Sequence, residues 1–361
     1  MAWLAVSSSH SNSNESEADV IRDFQDASPD VLMIRGSLVI EMRLPNTLRP
    51  EPLVLFAQDG EWPVKLALRA VPGGGLNLVL EQSGTLGHWT LNPTEAGRTD
   101  VLRLTYSWDA PRRWGRLALE RADGGQAQII DLKEPRPWRL ADLEALLQHG
   151  PFRFVSTDVQ YLALSDQIEP VGPMPSLSEN TPIATPQGYQ PLASLQRGDL
   201  VLTSDGATVP VLHVLKREMP TVGTFQPIRL RAPYFGLLQD IDVASSQRLV
   251  LSGSEVEYLF GQQSVLVPAC HLLATHTAYR PKIDKPTMTY MQLLLPDHDA
   301  PLAGGAVVES LFIGRLRRDK TRLAASLLSG LDRSSLPEHG QSKYPVLRSF
   351  DATVLAERRI A

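Results

Sequence analysis

The chain has 361 residues, 43% hydrophobic and 21% charged, enough for two ordinary domains with full cores and unlike a disordered polymer. A formal net charge of -5 argues against a general nucleic-acid binder, and no apolar run reaches the roughly 18–20 residues that cross a bilayer. The single cysteine, Cys270, excludes an internal disulfide framework and any multi-cysteine metal site.

Residues 1–30, rich in Ser, Asn and Glu, read as a flexible leader with a little helical tendency over Glu17–Phe24. The apolar start, Met1 to Val6, is too short and lacks the positive flank of a cleavable signal peptide. The expectation is a cytoplasmic protein or one exported without an N-terminal signal. From residue 31 to 165 the pattern has period two. In S-L-V-I-E-M-R-L, Leu38, Ile40, Met42 and Leu44 face one way and Ser37, Glu41 and Arg43 the other. Further strands are predicted at Val54–Ala57, Val64–Ala70, Leu76–Leu80, Val101–Trp108, Leu117–Glu120, Gln128–Leu132 and Phe154–Leu164. Turn signals separate them at Asp59-Gly60, Pro72 to Gly75 and Asp123-Gly124-Gly125, and a short amphipathic helix covers Leu140–His149. Many short, evenly spaced strands predict a mainly β chain whose N-terminal half is a two-sheet sandwich. The order of segments resembles a laminin-G or concanavalin-like jelly roll. Trp62, Trp89, Trp108 and Trp114 either fill that sandwich or form a platform for a sugar ring. No Asp/Asn cluster has calcium-ligand spacing.

Asp166–Pro175, with three prolines, reads as a stiff linker. The second domain, 176–361, is again β-rich. Leu200–Thr203 and the Val209, Val211, Val214 run flank Asp205-Gly206 as a tight hairpin. Later strands are expected at Ile228–Arg231, Ile241–Ala244, Arg248–Leu251 and Ser264–Pro268. Arg315–Ser329 reads as a helix with Leu316, Leu323 and Leu327 on one face, Gly330 as its stop and a solvated basic face. A basic docking patch is the alternative there. The tail from Tyr344 to Leu355 reads as a last strand.

The run T-P-I-A-T-P-Q-G-Y-Q-P-L-A-S-L-Q-R-G-D-L-V-L-T-S-D-G, Thr181 to Gly206, resembles the opening of a Hint domain, the self-processing module of hedgehog proteins and inteins. Its nearest form is the bacterial hedgehog/intein-like one, which ends a protein rather than interrupting it. V-L-V-P-A-C-H-L-L and the M-Q-L-L-L-P-D-H-D-A-P-L-A-G-G-A-V-V-E-S-L stretch extend the likeness to Leu311. The resemblance implies a β horseshoe with a C-terminal helix. It also implies a rearrangement in which a first-residue Cys thiol attacks the preceding carbonyl, assisted by a Thr/Ser-x-x-His element.

Residue by residue, that chemistry is degraded. The nucleophile's place falls on Ser176, after Pro175. The element usually seen as V-S-P-Q-H-R-L reads V-A-S-S-Q-R-L here, so its serine falls on Ala244 and its histidine on Gln247. Sliding by one brings Ser245 or Ser246 near but supplies no histidine. Gln exchanges no proton at pH 7, and an alcohol is a far weaker acid than a thiol. Asn180 stands where the family has Gly. His298, between Asp297 and Asp299, is the remaining candidate for a general acid, and those aspartates would favour its charged form. The alternative reading, and the favoured one, is that it holds a loop by hydrogen bonding. Cys270 reads as a packed small residue. His271 and His276 lack helical ligand spacing, so neither a metal nor a cofactor is implied.

Three readings follow. The first is a Hint-like module that no longer cleaves itself and serves interaction or scaffolding. The second is self-cleavage at Pro175–Ser176 through a Ser176 ester, with His298 assisting. The third is a sandwich that binds carbohydrate and carries the Hint part passively. Partners are accordingly a protein or a glycan at the sandwich, with no nucleic acid and no membrane span.

Overall fold

The computed structural model describes residues 2–8, 19–20, 30–45, 48–92, 101–122 and 124–359. The chain is mainly β and divides into two compact units, Met1–Gly172 and Pro173–Ala361.

In the first unit two antiparallel sheets enclose one core. The larger has seven strands in the order Gln128–Lys133, Trp114–Arg121, Val101–Asp109, Arg35–Arg43, Val159–Ser165, Trp3–Ser8 and Asp19–Val20. The smaller has five, Arg153–Val155, Glu51–Gln58, Val64–Val71, Gly75–Gln82 and Thr85–Leu91. Period-two burial explains the pairing. Leu38, Ile40 and Met42 from one sheet meet Phe56, Leu66, Leu68 and Leu78 from the other, all buried. The helix Leu140–Leu147 adds Leu143, Leu146 and Leu147 to that core.

The face expected in solvent is also covered. Ser37 and Glu41 are 0% exposed, and Arg103 bridges Glu41 at 2.9 Å and Glu120 at 3.1 Å. A buried charge of this kind persists only because it is paired on both sides.

Three departures from the sequence reading belong to this unit. Trp3–Ser8 is not leader but a strand along Val159–Ser165, with Trp3, Ala5 and Val6 buried. Six residues before a serine run give too short a pattern to reveal it. Of the helical tendency at Glu17–Phe24, Asp19–Val20 is extended against Ala5 and Val6, and the rest lies outside the described residues, as does Asp123 of the predicted turn. The predicted Phe154–Leu164 strand is two strands in different sheets, Arg153–Val155 and Val159–Ser165.

The predicted linker also begins inside the first unit. Ser37 Oγ donates to Gln167 O at 2.8 Å and accepts from Glu169 N at 2.9 Å. Gly172 N donates to Glu120 Oε2 at 2.8 Å. Buried hydroxyls and a buried carboxylate needed partners, and residues 167–172 supply them.

The second unit is built on a six-stranded sheet in the order His213–Pro220, Thr287–Leu294, Leu177–Ser178, Ile241–Val243, Ile228–Leu230 and Ala278–Tyr279. A four-stranded sheet joins Gly188–Pro191, Pro182–Thr185, Leu302–Ala303 and Ala306–Val307. Two hairpins complete it, Leu200–Leu202 with Thr208–Pro210 and Arg248–Ser252 with Ser264–Pro268. The first turns at Gly206, φ 80°, as its Asp-Gly pair predicts.

The C-terminal part departs from expectation. Arg315–Ser329 is a 3-10 turn, Leu316–Arg318, followed by a short helix, Lys320–Ala325. Asp319 separates them because its side chain accepts from Arg322 N at 3.0 Å, capping a new helix instead of continuing the old one. Within the basic stretch, Arg317 and Arg318 are held by Glu338, at 2.6 Å for Arg317. The tail is a helix, Ser349–Arg358, not a strand. Ala352, Leu355 and Ala356 recur at helical spacing and are buried, while the strand character reduces to one bridge, Leu266 with Val346.

Candidate functional site

Leu177 occupies the centre of the six-stranded sheet, paired with Val243 on one side and Met291 on the other. The residue before it therefore enters between those two strands, where Ser176 O accepts from Ala244 N at 2.8 Å. After Ser178 the chain turns at once. Thr181 N donates to Ser178 O at 3.0 Å, and the two hydroxyls are 2.9 Å apart. Asn180 in that turn does not adopt a positive φ, so the turn closes without the family's glycine.

Gln247 arrives from a second turn, in which its own N–H donates to Ala244 O at 3.0 Å. Its carboxamide orientation is fixed by its donors, since Nε2 gives one proton to Arg248 O at 2.8 Å and one to Glu309 O at 3.2 Å. Its Oε1 therefore faces Ser176, whose Oγ donates to it at 2.6 Å. A third side chain was not foreseen. Gln292 Nε2 lies 2.9 Å from Gln247 Oε1, 3.2 Å from Ser176 Oγ and 3.2 Å from Glu309 O. Ser176, Gln247 and Gln292 are 5%, 1% and 3% exposed. The signal lay in the M-Q-L-L-L stretch, where a polar side chain interrupts an apolar strand.

The predicted residues therefore separate. Ser176 and Gln247 are in direct contact. His298 is not bonded to either. Its Nε2 is 2.9 Å from Glu309 Oε1, and its Nδ1 accepts from Lys343 N at 3.4 Å, which assigns the Nε2–H proton to the glutamate. Arg248 Nη1 approaches both oxygens of the same carboxylate at 3.4 Å. Asp299, expected to act on His298, binds Lys343 Nζ at 2.6 Å instead. The imidazole packs on Phe312, centroids 4.7 Å apart, and is 3% exposed. Glu309 touches both groups, with its backbone carbonyl on the amides and its side chain on the histidine.

Ala244 presents a buried methyl where the family carries a hydroxyl. Ser245 is 6% exposed and its Oγ finds no hydrogen-bond partner among the described residues, so the shifted alignment does not bring it to Ser176. Cys270 is half-buried beside the core, its N–H donating to Ser245 O at 3.3 Å. Among the described residues no group of three or more His, Cys, Asp and Glu side chains is arranged to hold a metal ion.

Among the described residues, the side-chain hydrogen-bond partners of Ser176 Oγ are the carboxamides of Gln247 and Gln292. Ser176 Oγ gives its single proton and receives one, and both amides are committed at oxygen and nitrogen. None of these groups takes up or releases a proton near pH 7.

Residues 175–315 match the family model described as the Hint domain, and the second unit carries a Hint/intein-like domain. Among solved structures, a bacterial intein-like domain from Clostridium thermocellum aligns at 16% identity and TM-score 0.26, over 38% of this chain and 99% of that one. The MchDnaB-1 intein aligns at 18% identity and TM-score 0.25, over 37% of this chain and 98% of that one. A Ruminococcus gnavus sialidase CBM40 bound to sialyllactose aligns at 14% identity and TM-score 0.27, over 37% and 76%. No curated protein matches the chain. The assignment of the second unit rests on the family match.

Proposed function

We propose that this Hint-domain protein has kept the fold and lost the self-cleavage, and that it acts as an interaction or scaffold module whose partner, a protein or a glycan, docks on the N-terminal unit. One observation carries the loss of chemistry. The hydroxyl at the nucleophile's position is tied at 2.6 Å to a carboxamide oxygen. An acyl shift at Pro175–Ser176 needs Oγ to bond the Pro175 carbonyl carbon, the C–N bond to break, and the hydroxyl proton to reach the departing nitrogen. Gln247 neither accepts that proton nor delivers one. His298, the one imidazole assigned a helping role, is spent on Glu309 and Lys343. When members of one catalytic set are lost together, the loss is as severe as that of the worst member alone.

The glycan alternative draws on aromatic side chains of the first unit. Trp108 is 0% exposed and cannot serve. Trp89 is half-buried against the core, and Trp114 lies under the Arg116 guanidinium at 5.8 Å. These positions favour packing over a sugar platform.

Intact-mass analysis of the purified chain tests the reading. One species is expected, unchanged by Ser176→Ala. Fragments 1–175 and 176–361 that disappear in Ser176→Ala would establish the self-cleaving alternative instead.

A further inference from the structure

The hydrogen bonds around residue 247 distribute themselves unevenly. Gln247 spends both amide protons on the carbonyls of Arg248 and Glu309, leaving Oε1 as its one free acceptor. Two donors converge on that oxygen, Ser176 Oγ at 2.6 Å and Gln292 Nε2 at 2.9 Å. Gln292 also reaches the acceptor side of Ser176 Oγ, at 3.2 Å. It comes from Thr287–Leu294, the strand that pairs with Leu177, so its backbone cannot retreat without breaking the central sheet.

We propose that Gln292 is a positioning residue that locks the site: it occupies the acceptor of whatever stands at position 247, so that restoring a thiol and an imidazole leaves the chemistry blocked until Gln292 is replaced too. The inference rests on the reading that the family's reaction would run through positions 176 and 247. A carboxamide oxygen has two lone pairs and serves two donors, whereas the basic nitrogen of a neutral imidazole has one. In Ser176→Cys/Gln247→His, the Gln292 N–H takes the lone pair that must receive the thiol proton. Gln292→Met keeps length and volume and removes the donor.

In the triple variant the sequence balances without further reagents. The thiol proton passes to the imidazole, and sulfur bonds to the Pro175 carbonyl carbon. The C–N bond breaks, and the imidazolium returns the proton to the amino nitrogen of residue 176. Added hydroxylamine then takes the acyl group as a Pro175 hydroxamate and frees the thiol.

Hydroxylamine-dependent cleavage of the full chain, followed by intact mass, tests this. The triple variant is expected to cleave at least about tenfold faster than the double, within the range that positioned proton transfer commands. Equal rates, or no cleavage from either variant while both retain the native far-UV spectrum, overturn the proposal. A second measurement avoids cleavage altogether. In Gln247→His, the Gln292 N–H donated to the basic nitrogen of the introduced ring disfavours protonation there, so adding Gln292→Met should shift that ring's titration, followed by NMR, to higher pH. An unmoved midpoint also overturns it, because a purely structural Gln292 would not act on that titration. Fragments from the untouched wild-type chain would contradict the inertness of the native site and leave the comparison of double and triple variants standing.

Discussion

At the level of single residues, the Ser176 site is held by neutral hydrogen bonds, and their loss should be unequal. Ser176→Ala removes one donor from Gln247 Oε1 but leaves Gln292 on that oxygen, a net loss on the order of 1 kcal/mol. Gln247→Leu strands the Ser176 hydroxyl proton in a buried site, while Gln292 keeps Ser176 Oγ and Glu309 O as acceptors, and should cost on the order of 3 kcal/mol. Urea midpoints should therefore fall further for Gln247→Leu than for Ser176→Ala, and the reverse order would contradict the network. Ser176 and Gln247 were legible because the segments around them resemble the family's and a substituted residue keeps its place. Gln292 was not, since a lone glutamine in an apolar strand looks like an outward position. The partners of His298 were hidden for a related reason. Sequence displays its neighbours Asp297 and Asp299, whereas its ring meets Glu309, eleven residues on.

At the level of elements, the chain after residue 313 is fastened by a second histidine. Ile313 N donates to His339 Nδ1, and His339 Nε2 donates to Leu295 O, both at 3.2 Å. Burial holds this imidazole below its ordinary value, helped by His298 and opposed by the Leu295 carbonyl, Asp297 and Asp299. A base depressed in the folded state contributes stability that is fully present above its unfolded value near pH 6.5 and is lost as the pH falls through the folded value. The gap in Tm between wild type and His339→Gln should thus narrow from pH 7 to pH 5, and a constant gap would exclude the role. The N-terminal strand makes a second test. Trp3→Ala opens a cavity at a 1%-exposed position and should cost about 3–5 kcal/mol by denaturant melting. A change under about 1 kcal/mol would mean that Trp3–Ser8 does not dock. Interior strands were readable because alternation over eight or nine residues is a strong pattern. Elements at both ends were not, because a six-residue strand, an Asp319 cap and a ten-residue helix are each decided by tertiary partners.

At the level of the whole molecule, two units with separate cores share one chain, and the residues that match the Hint domain, 175–315, begin three residues after the first unit ends. The buried, paired charges of Arg103, Glu41 and Glu120 and the bonded segment 167–172 show a first unit that continues up to that boundary. The central claim is that a site of this fold, furnished with a hydroxyl and two carboxamides, is chemically silent. Its most direct test is the intact mass of the wild-type chain after incubation with hydroxylamine across pH 6 to 9. The account predicts one unmodified full-length species throughout. A 1–175 hydroxamate together with 176–361, accumulating faster as the pH rises, would contradict it.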